Sequence, residues 1–185
     1  MALREILTEP NKRLREKSLP VEGVDEDLQK LMDDMLETMY AAPGIGLAAV
    51  QVGVPKRVIV LDIRWRDKSE STNNEKHEER KNPMYFVNPV IIAKSTNSLT
   101  YEEGCLSVPG QFAEIDRPDK CHIKFLDYYG QPKELVAEGM LATCIQHEVD
   151  HLEGILFIDY LSKLKKSMIV KKLTKQKEQL DRIVI

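Results

Sequence analysis

His147 and His151 lie four residues apart in the stretch Gln146-His147-Glu148-Val149-Asp150-His151-Leu152-Glu153-Gly154. On a helix that spacing stacks two imidazoles one turn apart on the same face, so both reach a single metal ion. Glu148 falls about 100° further around the helix. It would stand beside the ion rather than on it, where a carboxylate takes a proton from water held by the metal. A surface turn carrying two unrelated histidines is the plainer alternative. Against it, the chain has four histidines in all, and Leu141, Ala142, Ile145, Val149 and Leu152 give the segment a core-facing pattern.

Two histidines are too few for a zinc-like centre, which takes three protein ligands and keeps a fourth position open. Three patterns supply the third. In the metzincin order a histidine stands three residues after Gly154, but that position is Phe157. In the thermolysin-like order a glutamate follows some twenty or more residues on, where this chain has Lys171, Lys172 and Lys175, and Glu178 is poorly placed. The remaining source lies upstream, in Glu102-Glu103-Gly104-Cys105-Leu106-Ser107-Val108-Pro109-Gly110. There Cys105 is flanked by a glycine that permits close approach and by an expected turn at Pro109 and Gly110. A thiolate binds divalent first-row metals strongly. Cys144 precedes His147 by three and has no such context, so it reads as a buried, inert thiol. Cys121 and His122 are adjacent on an expected strand and point to opposite faces, a poor chelating pair.

The elements that must position these groups follow from periodicity. Asp25 caps an amphipathic helix in which Leu28, Leu31, Met32, Met35, Leu36, Met39 and Tyr40 face the core. Strands are expected at 57–63, 85–87, 90–92 and 121–128, and the metal-motif helix over 135–153, closed by Gly154. Residues 155–158 read as extended. A last helix starts near Asp159 with Leu161, Leu164 and Met168 as its apolar stripe; its second half has no continuous core-facing side. The run 66–81 holds five basic and five acidic residues and reads as a solvated loop, in which His77 is no ligand. The pair Gly44 and Gly46 follows a helix, lacks a third spaced glycine and a Lys-Ser/Thr pair, and so makes no phosphate loop. Gln51 is the conspicuous polar side chain of that small, apolar stretch.

At 185 residues, 31% of them charged, the chain is most simply one domain, 1–185, with an ordinary soluble composition. Between Lys163 and Arg182 eight basic residues face Glu178 and Asp181, a balance of +6; with a total of −3 the rest carries −9. No signal peptide or membrane span is legible, and three cysteines fit a reducing, cytoplasmic setting.

Three stretches in order resemble the peptide deformylase family: Gly44-Ile45-Gly46-Leu47-Ala48-Ala49-Val50-Gln51, Glu103-Gly104-Cys105-Leu106-Ser107 and Gln146-His147-Glu148-Val149-Asp150-His151. The opening 6–15 and Asn88-Pro89 are also similar. The resemblance implies an α+β fold, antiparallel strands around a central helix carrying the histidines, plus a C-terminal helix. It implies hydrolytic removal of the N-formyl group from the first methionine of new polypeptides, releasing formate. Cys105, His147 and His151 would hold one divalent metal ion, Fe(II) in the cell, with zinc, nickel or cobalt able to replace it. Glu148 would be general base and acid, and the Gln51 side chain and Leu106 N–H would stabilise the oxyanion. Ile45 and Gly46 would pair with the substrate backbone, and Ile45, Gly104, Tyr101, Met140, Thr143 and Cys144 would bind the substrate and its methionine. Phe112 departs from members that carry a basic, substrate-contacting residue there. The resemblance further implies a monomer acting on nascent formylated polypeptides, with residues 160–185 as a basic helix that meets the ribosome, and no membrane or DNA partner. A zinc endopeptidase and a ribosome-associated binding protein with a purely structural metal are the competing readings.

Overall fold

The apolar run Val58–Leu61 is covered on both sides, and its alternate residues serve two different cores. Val58 and Val60 pack with Leu28, Leu31, Met32, Met35 and Met39, while Ile59 and Leu61 pack with Ala142, Ile145 and Leu152. A sheet therefore separates two helices, each burying one apolar stripe against it. Burial of each large side chain is worth about 1.5–3 kcal/mol.

Residues 2–64 and 81–183 are described in the computed structural model, 180–183 by backbone alone. The loop expected at 66–81, with His77, lies outside the described residues except for Lys81. In chain order the elements are α1 (Glu26–Ala41), β1 (Gly46–Ala48), β2 (Val58–Leu61), β3 (Met84–Lys94), β4 (Ser98–Cys105), β5 (Val108–Pro118), β6 (Lys120–Leu126), β7 (Pro132–Glu138), α2 (Gly139–Leu152) and α3 (Lys163–Ile183). Short 3-10 turns occupy Lys12–Arg15, Ala49–Val52 and Phe157–Tyr160. The strands form an antiparallel five-stranded sheet in the order β1-β2-β3-β6-β7 and a separate β4-β5 hairpin. The expected α+β fold, with α2 central and a C-terminal helix, is what the chain adopts.

Asp25 caps α1 as expected, its side chain accepting the Leu28 N–H at 2.8 Å. Other expectations need correction. The motif helix starts at Gly139 rather than 135, because 132–138 alternate as the edge strand β7. Gly139 takes a φ of +57°, and Glu138 offers no side-chain cap, so neither a helix start nor a cap signature marks the boundary. Its other end is as read: Gly154 has a φ of +75°, and a Cβ there would strike the Arg15 carbonyl. Pro109 and Gly110 lie inside β5, not at a turn, and the chain reverses at Leu106 and Ser107. Residues 157–160 form a 3-10 turn rather than extended chain, and α3 begins at Lys163. The apolar side of α3 is also not the one expected. Leu164 and Met168 are in water, whereas Ile169, Val170 and Leu173 join a third core with Val108, Ile115, Leu156, Phe157 and Ile158. Position 159 explains the shift: the Asp159 carboxylate is tied to Arg15, Lys166 and the Leu156 N–H, which orients the helix entry.

Candidate active site

Cys105 ends β4 at a bulge, where the register between Gly104 and Cys105 slips before the chain turns back into β5. The slip brings its sulphur over α2. Cys105 Sγ lies 3.2 Å from His151 Nε2, and the donor atoms of Cys105, His147 and His151 all fall within 4.8 Å of one another. The two imidazoles stand edge to face, centroids 5.0 Å apart. The sulphur arrives by tertiary packing and the histidines by helical spacing. Cys144 takes no part in the trio, Cys121 is buried elsewhere, and His122 pairs with Glu134 on the outer sheet face.

The polar surroundings of the trio are ordered. Glu103 is two residues before Cys105, so it shares its face of β4. Its Oε2 accepts the His147 Nδ1–H at 2.8 Å and the Arg117 Nη2–H at 3.0 Å, while Arg117 Nε donates to Oε1. Burial would raise the Glu103 carboxyl, but His147 and Arg117 outweigh it and hold it below its ordinary value. The bond to Nδ1 leaves His147 Nε2 for the side where Cys105 sits. Gln51 is fully buried in the 3-10 turn after β1. Its Oε1 accepts the Ala48 N–H at 2.8 Å, and its Nε2 donates to Ser107 Oγ at 3.1 Å and faces Cys105 Sγ at 3.6 Å. Backbone bonds from Leu7 N–H to Gln51 O and from Glu9 N–H to Ser107 O clamp these two segments with the N-terminal strap.

Glu148 is 5% exposed, and its Oε2 has no hydrogen-bond partner among the described residues. The carboxylate rests on Gly46, where a Cβ would lie 2.4 Å from Glu148 Oε1, so a side chain there would push the carboxylate out of its place. Desolvation pushes the Glu148 carboxyl up from 4.5 to about 7, against the pull of His147. Such a group is poised to gain and lose a proton near neutrality. Burial, and then the Glu148 charge, pushes the Cys144 thiol far up, in keeping with an inert reading.

An open cleft of about 520 Å³ lies over these groups. Ile45, Gly46, Gly104, Tyr101, Met140, Thr143 and Cys144 all line it, together with Gln51, Cys105, Leu106, His147 and Glu148. Phe112 forms part of its mouth and covers Gly104 so closely that a Cβ there would lie 2.6 Å from the ring.

A cation fits the trio on the structure's own chemistry. Burial alone would strip the proton from both imidazoles. In His147 the bonds with Cys105 and Glu103 overcome burial and raise the pKa well above the usual imidazole value, whereas burial and the His147 charge drive His151 well below it. The donor set of one sulphur and two nitrogens suits borderline-soft divalent metals. Its open side faces the cleft, and a buried carboxylate flanks it. These are the attributes of a metal-dependent hydrolase.

Comparison with known proteins narrows the class. A family model described as polypeptide deformylase matches residues 3–167, and the chain belongs to that family. It is 60% identical over 185 residues to the peptide deformylase of Pelagibacter ubique, covering the whole of both chains. Among solved structures it is similar to the peptide deformylase of Ehrlichia chaffeensis, with 44% identity, a TM-score of 0.87, and coverage of 97% of this chain and 99% of that one. The same Ehrlichia protein in complex with actinonin superposes with a TM-score of 0.85 at 44% identity, over 95% of this chain and 98% of that one. The family consists of metal-dependent hydrolases that remove the N-formyl group of new polypeptides. That membership decides against the endopeptidase and structural-metal readings.

Sequence reasoning left Glu103, Ser107, Arg117, Asp150 and Tyr160 without roles. The signal for Glu103 was present in its two-residue offset from Cys105. Arg117 could not be found that way, because its meeting with Glu103 depends on a hairpin that the sequence reading did not identify.

Proposed function

We propose that Cys105, His147 and His151 hold one divalent metal ion, and that the cleft above them seats a formyl-methionyl peptide. The gathering of three donor atoms within 4.8 Å of one another, beside an unpartnered Glu148, is the observation that carries this reading. Bound there, the metal supplies Lewis acidity, making a water nucleophilic near neutral pH and polarising the formyl carbonyl. Glu148 takes the proton from the attacking water and passes it to the departing amine, a transfer worth about 10²–10⁴-fold in rate. Gln51 Nε2, steered by Ser107 and by the bond at its Oε1, and the Leu106 N–H hold the oxygen on which negative charge develops. The Ile45 carbonyl is engaged by the Asp62 N–H at 2.9 Å, so in the alternation of an edge strand the outward backbone groups belong to Gly46. Gly46 therefore pairs with the substrate backbone, and Ile45 contributes its side chain. Tyr101, Met140, Thr143 and Cys144 enclose the methionine, beside Gly104.

The donor set accommodates iron(II), cobalt(II), nickel(II) or zinc, with Fe(II) the occupant proposed for the cell. In this reading the chain 1–185 acts as one catalytic domain, a monomer, in the cytoplasm. No helix among the described residues is long and apolar enough to cross a membrane. Lys163, Lys165, Lys171, Lys172, Lys175 and Lys177 are exposed along α3, where their charge suits contact with the phosphates of ribosomal RNA. Purified protein should release formate from a formyl-methionyl peptide, and Cys105→Ser should lower or change its metal content. Metal content and turnover unaffected by Cys105→Ser would move the third ligand elsewhere.

A further inference from the structure

Arg117 is 3% exposed yet makes no contact with the cleft; every polar group it meets leads back to His147 or out to the C-terminal turn. Inward, its guanidinium forks onto Glu103, whose Oε2 receives the His147 Nδ1–H. Outward, its Nη1 donates to Asp150 Oδ2 at 2.8 Å, and the same oxygen accepts the Tyr160 hydroxyl at 2.8 Å. The Tyr160 ring also covers the guanidinium, 4.9 Å from its centre. Phe157, three residues earlier on the same 3-10 turn, stacks toward the His147 ring, centroids 6.3 Å apart and planes 23° apart. A single turn thus reaches His147 twice, once by ring stacking and once through four successive polar links.

We propose that Arg117 and Tyr160 are positioning residues of the metal centre. They fix the plane of the Glu103 carboxylate and thereby the direction of His147 Nε2. This rests on the reading of His147 as a ligand. The two-pronged fork sets the carboxylate's orientation as well as its charge, which a lysine cannot do. Asp150 and the Tyr160 ring hold the guanidinium from the other side, so the fork cannot swing away from Glu103. An outer partner of a metal-bound histidine aims the ring and sets its basicity, and losing one costs about 10–100-fold in metal affinity.

The test uses the full chain loaded with cobalt(II). Its metal dissociation constant is read by competition with a chelator, and the geometry of the centre by the visible ligand-field bands. Arg117→Lys is expected to weaken metal binding about 10–100-fold and shift the bands. Tyr160→Phe, at a half-exposed position where the ring is kept, is expected to do the same by a smaller factor. Where Arg117→Lys does not fold, Tyr160→Phe decides. Unchanged affinity and unchanged bands, even with a lowered melting temperature, would show that the links only brace the fold and would overturn the proposal. His147→Ala separates the two levels. Its loss of metal alongside unaffected Arg117 and Tyr160 variants overturns this inference alone, whereas its retention of metal overturns the ligand reading beneath it.

Discussion

The helices α2 and α3 carry polar residues in opposite ways. In α2, Gln146, His147 and Asp150 are each tied to another element: Gln146 to Pro118 O, His147 to Glu103, and Asp150 to Arg117 and Tyr160. In α3 one lysine, Lys166, is paired, with Asp159, and Leu173 is the one fully buried side chain among those described. Buried polar atoms without partners are costly, and α2 holds three among the described residues, Gln146 Oε1, Glu148 Oε2 and His151 Nδ1; of these residues Glu148 is the one that lines the cleft, as a group kept for reaction would. The lysines of α3 cost nothing to leave in water, and their charge is available to a partner. One helix ties its polar groups into the site, and the other leaves its charges in water.

That contrast can be broken at several points. The largest effect is expected at Gln51, which faces the α2 site. Gln51→Ala should cut kcat by about 10²–10³ while metal content holds, as for loss of one oxyanion donor. Metal lost along with rate would instead make Gln51 a support of Cys105. On α3, Leu173→Ala should lower stability by about 2–5 kcal/mol in denaturant unfolding. Turnover by the folded fraction should be unchanged, because Leu173 does not itself line the cleft. A loss of kcat without loss of stability would tie α3 directly to catalysis. Smallest of all, replacing Lys171, Lys172 and Lys175 together by alanine should change stability by no more than about 0.5 kcal/mol and leave peptide turnover intact. It should reduce co-sedimentation with ribosomes at low salt. Equal sedimentation would mean that the lysines only solvate the helix.

Much of the site was legible because its chemistry is local. The i, i+4 histidines and the glutamate between them need nothing beyond a helix to be read. Cys105 emerged once Phe157 and the lysines at 171, 172 and 175 removed the downstream ligands. The fold was legible where a face was continuous, as in α1 with its Asp25 cap. It was not where polarity masked alternation. In β4 and β5, Tyr101, Glu103 and Cys105 point inward beside Ile115 and Arg117, and this inner face mixes charged with apolar residues, so no hydrophobic pattern betrays the hairpin. In α3 the apolar residues lie on two sides. The sequence does not say whether Leu164 and Met168, or Val170 and Leu173, meet the core; the anchoring of Asp159 by Arg15 and Lys166 decides it.

The most direct test of the account compares the wild-type chain with Glu148→Ala, reading formate release and bound metal on the same samples. The account predicts a fall in turnover of at least about 10²-fold with the metal retained, since Glu148 moves the proton but is not a ligand. Undiminished formate release, or metal lost in step with activity, would contradict it.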